Sequence, residues 1–63
     1  MSDLDSEFRD LVSMLKKRGL SQREIADRLG KSSSYITQKL SRYRRVTRMD
    51  VLALRQLIDE DHA

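Results

Sequence analysis

Apolar residues recur along the chain at helical spacing in four separate stretches. In the first, Leu4, Phe8, Leu11, Val12 and Leu15 follow at steps of four, three, one and three residues, which puts them on one face of a helix. The spacing predicts a helix over residues 3–18 that serves as core scaffold, with Phe8 its largest buried side chain. Its acidic residues come early and Lys16, Lys17 and Arg18 come late, both complementing the helix dipole, and Gly19 ends it. A second, shorter stripe is made by Ile25, Ala26 and Leu29. Ser21 and Glu24 before it form an S-x-x-E capping box, with Leu20 and Ile25 placed as a hydrophobic staple, so this helix is expected over residues 22–29. Gly30 follows where a helix end favours a residue that accepts positive φ. The third stripe is Ile36, Leu40 and Tyr43, on a helix predicted over residues 33–44 and capped by Ser32. Thr47 and Asp50 resemble a second capping pair, with Val46 and Val51 as its staple. They open a fourth helix over residues 48–59 whose inward face is Val51, Leu54, Leu57 and Ile58. Residues 59–63 read as an acidic, frayed tail in which His62 is solvated. The fold class that follows is all-α, a bundle of four helices or at most five, forming a single domain over residues 1–63.

The organising unit is residues 21–40: two short amphipathic helices joined by a glycine turn, a helix-turn-helix arrangement. Small Ala26 lets the second of these helices cross the first closely. Gln22, Ile25-Ala26, Leu29-Gly30 and Ser34-Tyr35-Ile36 together resemble the helix-turn-helix of the lambda repressor and Cro superfamily. Locally, Leu29 to Ile36 is most similar to the DNA-binding helices of ParB-type partition proteins. Lys39 departs from the pattern, standing where many Cro-like sequences carry an apolar residue, with Leu40 one place later. The resemblance implies a stand-alone double-stranded-DNA-binding module.

Charge sharpens this picture. Net charge over all 63 residues is only +3. Residues 16–48, however, hold eleven Lys or Arg against Glu24 and Asp27, a net of +9, and the flanking segments carry −3 each. A basic block that coincides with the helix-turn-helix favours a polyanionic partner approached by one face. No cysteine and a single histidine exclude disulfides and cysteine metal sites, and no cofactor or small-molecule ligand is expected. Apolar runs are far too short for a membrane span or a signal peptide, and a cytoplasmic protein is expected. No nucleophile–His–acid set and no phosphate-cradling glycine loop point to catalysis. RNA binding would need more aromatic platforms than Tyr35 and Tyr43, and a protein-interaction adaptor would not need the concentrated positive charge.

Individual roles follow from position. Ser33, Ser34, Thr37, Gln38 and Ser41 lie opposite Ile36 and Leu40 and are the expected base readers; the Gln38 amide can pair bidentately with adenine N6 and N7. The expected backbone contacts are Gln22, Arg23, Lys31, Ser32, Tyr35, Lys39, Arg42, Arg44, Arg45 and Arg48, which position the protein without reading sequence. Arg28 is expected to pair with Glu24 at i, i+4. Met49, Leu52, Arg55 and Gln56 lie off the inward stripe of the fourth helix and are the expected homodimer contact. The function anticipated is a sequence-specific transcriptional regulator, a repressor on a palindromic operator. DNA-architectural, excisionase-like and partition-type roles stay open beside it.

Overall fold

The computed structural model describes residues 3–41 and 45–62, the last two of these as backbone. Four α-helices make up the described chain: α1 (Asp3–Lys17), α2 (Gln22–Leu29), α3 (Ser34–Leu40) and α4 (Arg48–His62). The longest two, α1 and α4, pack against each other as the scaffold; α2 pairs with α3, and α1 contacts all three other helices. Phe8, Val12, Leu15, Leu20, Ile25, Ala26, Ile36, Val46, Val51, Leu54 and Leu57 form one buried cluster, with Leu4, Leu11, Leu29, Tyr35, Leu40 and Ile58 packed around it. Every inward position predicted for α1, α2 and α4 is therefore in or against the core. Tyr43, expected to complete the α3 stripe, lies outside the described residues.

The helix ends are set by local chemistry. At Gly19 (φ +96°) and Gly30 (φ +74°) the backbone is left-handed, which a Cβ would oppose. Around Gly30, its N–H donates to Asp27 O (3.0 Å) and that of Lys31 to Ala26 O (2.8 Å), the paired bonds of a Schellman turn. Gly19 and Leu20 repeat the arrangement on Lys16 O and Leu15 O (2.9 and 3.1 Å), and Leu20 and Leu15 are both buried. The capping box at α2 is closed: Glu24 N–H donates to Ser21 Oγ (3.1 Å) and Ser21 N–H to Glu24 Oε1 (3.5 Å). At α4, Thr47 N–H donates to Asp50 Oδ2 (2.8 Å) and Asp50 N–H to Thr47 Oγ1 (3.3 Å). The buried Val46 and Val51 flank this second cap as expected.

Four boundaries differ from expectation, the first being the end of α1 at Lys17, one residue early. α3 begins one residue later, with Ser33 at the N-cap position and no side-chain cap. Ser32 does not cap: its hydroxyl meets the Ser34 hydroxyl instead (3.2 Å), and its carbonyl accepts from Tyr35 N–H (3.0 Å). α3 is also shorter, ending at Leu40 with Ser41 as its C-cap. α4 runs on to His62, so residues 59–62, expected to fray, are helical. No Gly or Pro interrupts that stretch, and Glu is a good helix former. The His62 side chain lies outside the described residues.

Candidate nucleic-acid interface

The α2–turn–α3 unit presents one face of short polar side chains. Ile36 is fully buried against the core, while Ser33, Ser34, Thr37 and Ser41 are exposed and Gln38 is half-buried. The two helices are joined at this surface by a hydrogen bond from Thr37 Oγ1 to Gln22 Oε1 (3.1 Å). Thus Gln22, half-buried at the start of α2 and expected at the DNA backbone, is oriented by α3. Ser41 Oγ turns back to donate to Gln38 O (3.2 Å) at the end of α3.

Basic side chains lie on the segments before and after this helix. Arg23, Lys31, Arg45 and Arg48 are exposed, and among the described residues none of the four makes an ion pair with a carboxylate. The Lys31 ammonium sits 5.7 Å from the centre of the Tyr35 ring, a cation–π distance. Arg42 and Arg44 lie outside the described residues.

Tyr35 and Lys39, both expected at phosphates, are engaged on the interior side of α3 by Asp50, the carboxylate that also closes the α4 cap. The Tyr35 hydroxyl donates to Asp50 Oδ1, and its ring meets Phe8 edge-on at 6.4 Å between centroids. Lys39 Nζ lies 2.9 Å from Asp50 Oδ2, with each of those side chains only 12% exposed. The same ammonium donates to Arg45 O (2.8 Å) and stands 5.6 Å from the Tyr35 ring centre. Burial by itself would raise the Asp50 pKa. Hydrogen bonds from Tyr35, the Thr47 backbone, Lys39 and the Thr47 hydroxyl outweigh it and hold the carboxyl down at about 2. Burial, then the hydrogen bond and negative charge of Asp50, push the Tyr35 phenol well above its ordinary value. The one hint in the sequence was that Tyr35 and Lys39, four apart, share a helix face; their partner lies in a different helix.

On α4, Met49 (73% exposed) and Leu52 (47%) are the large apolar side chains that stay in solvent. Arg55 is tied to α1 by its Nε, 2.8 Å from Glu7 Oε2. Leu52 and Arg55, with Leu4, Glu7, Arg48 and Val51, line an open cleft of about 360 Å³ between α1 and α4. Gln56 is exposed on the other flank, beside Arg28 and Glu60. Arg18, the last of the basic run, donates to Ile58 O (3.2 Å) and so clamps the end of α1 to α4. Among the described residues no cluster of His, Cys, Asp or Glu is arranged to hold a metal ion. No helix among them is long and apolar enough to cross a membrane.

Two short helices crossing at a small residue, a left-handed glycine between them and a polar, base-flanked face on the second define a DNA-binding helix-turn-helix module. The chain belongs to the helix-turn-helix family of the lambda repressor and Cro type, whose family model matches residues 11–61. The match takes in the second part of α1, all of α2 and α3 and nearly all of α4. The protein is accordingly a DNA-binding transcription regulator of that type. No curated protein and no solved structure matched the chain.

Proposed function

We propose that the protein is a repressor that binds a palindromic operator as a homodimer and blocks it sterically. The observation that carries this reading is the exposed, polar start of α3 between segments that bear the exposed cations Arg23, Lys31, Arg45 and Arg48, none with a carboxylate partner among the described residues. Small hydroxyls at Ser33, Ser34, Thr37 and Ser41 let the helix approach the major-groove floor closely. Gln38 supplies the amide best suited to read adenine. The backbone set is Gln22, Arg23, Lys31, Ser32, Arg45 and Arg48, joined by Arg42 and Arg44 from outside the described residues. Tyr35 and Lys39 support this surface from behind, because their polar atoms are already engaged by Asp50.

A seven-residue recognition helix reads only a few base pairs, and a two-fold dimer doubles the sequence contacted. Half-sites then fall about 34 Å apart, one helical turn, a spacing that subunits 32 Å in their longest dimension can span side by side. The basic face is committed to DNA, so the dimer contact falls on α4, where Met49 and Leu52 are exposed and Arg55 and Gln56 flank them. In an isologous contact Leu52 lies near its own symmetry mate.

Selection of bound sequences from a random duplex pool, followed by sedimentation of the wild type and Leu52→Glu on the selected DNA, tests the reading. The expected result is a palindrome occupied by two copies, with Leu52→Glu helical, monomeric and weakly bound. A non-palindromic site filled by one copy refutes the homodimer, and unfolding of Leu52→Glu refutes its placement outside the core. Transcription in vitro from a promoter overlapping the selected site should fall as the protein is added; a rise refutes repression.

A further inference from the structure

The recognition helix is the least anchored element of the bundle. It is seven residues long, has no side-chain cap at its start, and contributes one fully buried side chain, Ile36. It packs on α2 and touches α1, yet the Cα atoms of α3 and α4 nowhere come within 8 Å of each other. What spans that gap is a set of side chains converging on one carboxylate. Tyr35 and Lys39 reach out from one face of α3 to Asp50, Tyr35 to one carboxylate oxygen and Lys39 to the other. Asp50 is in turn fixed by the Thr47 amide and hydroxyl (2.8 and 3.0 Å). Lys39 carries the connection further, to the Arg45 carbonyl in the segment leading to α4. The polar brace is enclosed, with Lys39 and Asp50 each 12% exposed, and it is directional where the apolar contact of a short helix is not.

We infer that Asp50 is a positioning residue for sequence recognition: by holding Tyr35 and Lys39 it sets the roll of α3 on the bundle, and with it the aim of Ser34, Thr37 and Gln38. The inference rests on α3 being the reading helix. Base contacts tolerate displacements of only about half an ångström, whereas phosphate contacts from flexible Lys and Arg stems accommodate more. Loss of the brace therefore weakens discrimination before it weakens general attachment to DNA. Enclosed, fully hydrogen-bonded ion pairs are retained in other folds for such geometric reasons, although they add little net stability.

The test uses Tyr35→Phe, which keeps the ring against Phe8 and removes only the hydroxyl, and Asp50→Asn, which removes the charge. Gly19→Ala, which puts a Cβ into the left-handed turn after α1 and touches neither α3 nor Asp50, is the stability control. Each is measured for affinity on the duplex selected by the wild type and on random duplex, with helicity followed by circular dichroism. Tyr35→Phe and Asp50→Asn are expected to remain helical and to lose about tenfold on the selected site, the scale of one good base contact. Random-duplex affinity should change by less than about twofold, because the phosphate cations are intact. Gly19→Ala should melt earlier and keep the wild-type ratio of selected to random affinity. Should Asp50→Asn lose its fold, Tyr35→Phe decides. A wild-type ratio in Tyr35→Phe overturns the positioning role, as does a ratio in Gly19→Ala that falls equally. A wild type that does not discriminate between duplexes at all refutes the DNA-reading assignment itself, and the positioning role with it.

Discussion

Replacing Asp50 by Asn should destabilise the protein by an amount that depends on pH in a defined window. The carboxyl is held at about 2 against an ordinary value of 3.8. At about 1.36 kcal/mol for each pH unit of that depression, ionised Asp50 stabilises the fold by at most about 2–3 kcal/mol. Solvent at the edge of the site screens part of it, leaving about 1–2 kcal/mol. Removing one partner of a fully enclosed ion pair costs more, about 3–5 kcal/mol, but Lys39 keeps 12% of its side chain in solvent, and its long stem lets the ammonium turn to water once the carboxylate charge is gone. Because the folded-state pKa is the depressed one, the contribution is complete above pH 3.8, shrinks as pH falls and disappears below about pH 2. Urea unfolding of wild type and variant at matched pH isolates this residue, since every other carboxylate titrates in both proteins. At pH 7 Asp50→Asn should be about 1–2 kcal/mol less stable, a melting shift of about 4–8 °C per kcal/mol for a domain of this size. The gap should narrow steadily between pH 4 and pH 2. A gap that stays constant through that window, or none at neutral pH, refutes the argument that the ionised hub stabilises the fold.

Gly30→Ala should cost about 1–2 kcal/mol by chemical denaturation, the penalty of a Cβ in the left-handed region; nothing lies within 4 Å of the added carbon, so a much larger loss would mean that packing, not backbone, sets the cost. Affinity for random duplex should fall steeply with salt, and removing Lys31 or Arg45 should lower the slope of log K against log salt by about 0.9 each. Binding that is flat with salt would refute phosphate attachment through these side chains.

Most of the fold was legible because helices write their buried faces into the sequence at fixed intervals. Phe8, Val12 and Leu15 on α1, Ile25 and Ala26 on α2, and Val51, Leu54 and Leu57 on α4 were all recoverable from spacing alone, and all are buried. Both capping boxes were legible for the same reason, since their partners lie three residues apart. The brace behind α3 was not. Tyr35 and Asp50 are fifteen residues apart and belong to different helices, and no periodicity encodes that approach. A lysine at position 39 reads as a phosphate contact until a carboxylate is brought to it by tertiary folding. The later start of α3 and the missing cap at Ser32 were hidden by three consecutive serines, any of which has the chemistry of an N-cap. The acidic end of α4 opposes the helix dipole, which made fraying the natural expectation, and the absence of any helix breaker there carried the opposite message.

The two capping boxes differ by one methylene, and that difference bears on how so small a protein is organised. At α2 the box ends in Glu24, which is exposed and serves only its own helix. At α4 it ends in Asp50, whose shorter side chain closes the cap and also meets Tyr35 and Lys39 from α3. A 63-residue chain has a core of marginal size, and here that core is built chiefly from α1, α2 and α4. Apolar burial accounts for the bundle's existence, but burial is non-directional, and one buried isoleucine cannot by itself hold a seven-residue helix at a fixed roll. Directional polar bonds can, provided that every buried partner is satisfied, and no buried side-chain donor or acceptor among the described residues lacks one. Stability and aim are thus supplied by different interactions. The helix that faces DNA is the one least held by the hydrophobic core and most held by charge, through a carboxylate at the start of the helix whose outer face carries Met49 and Leu52.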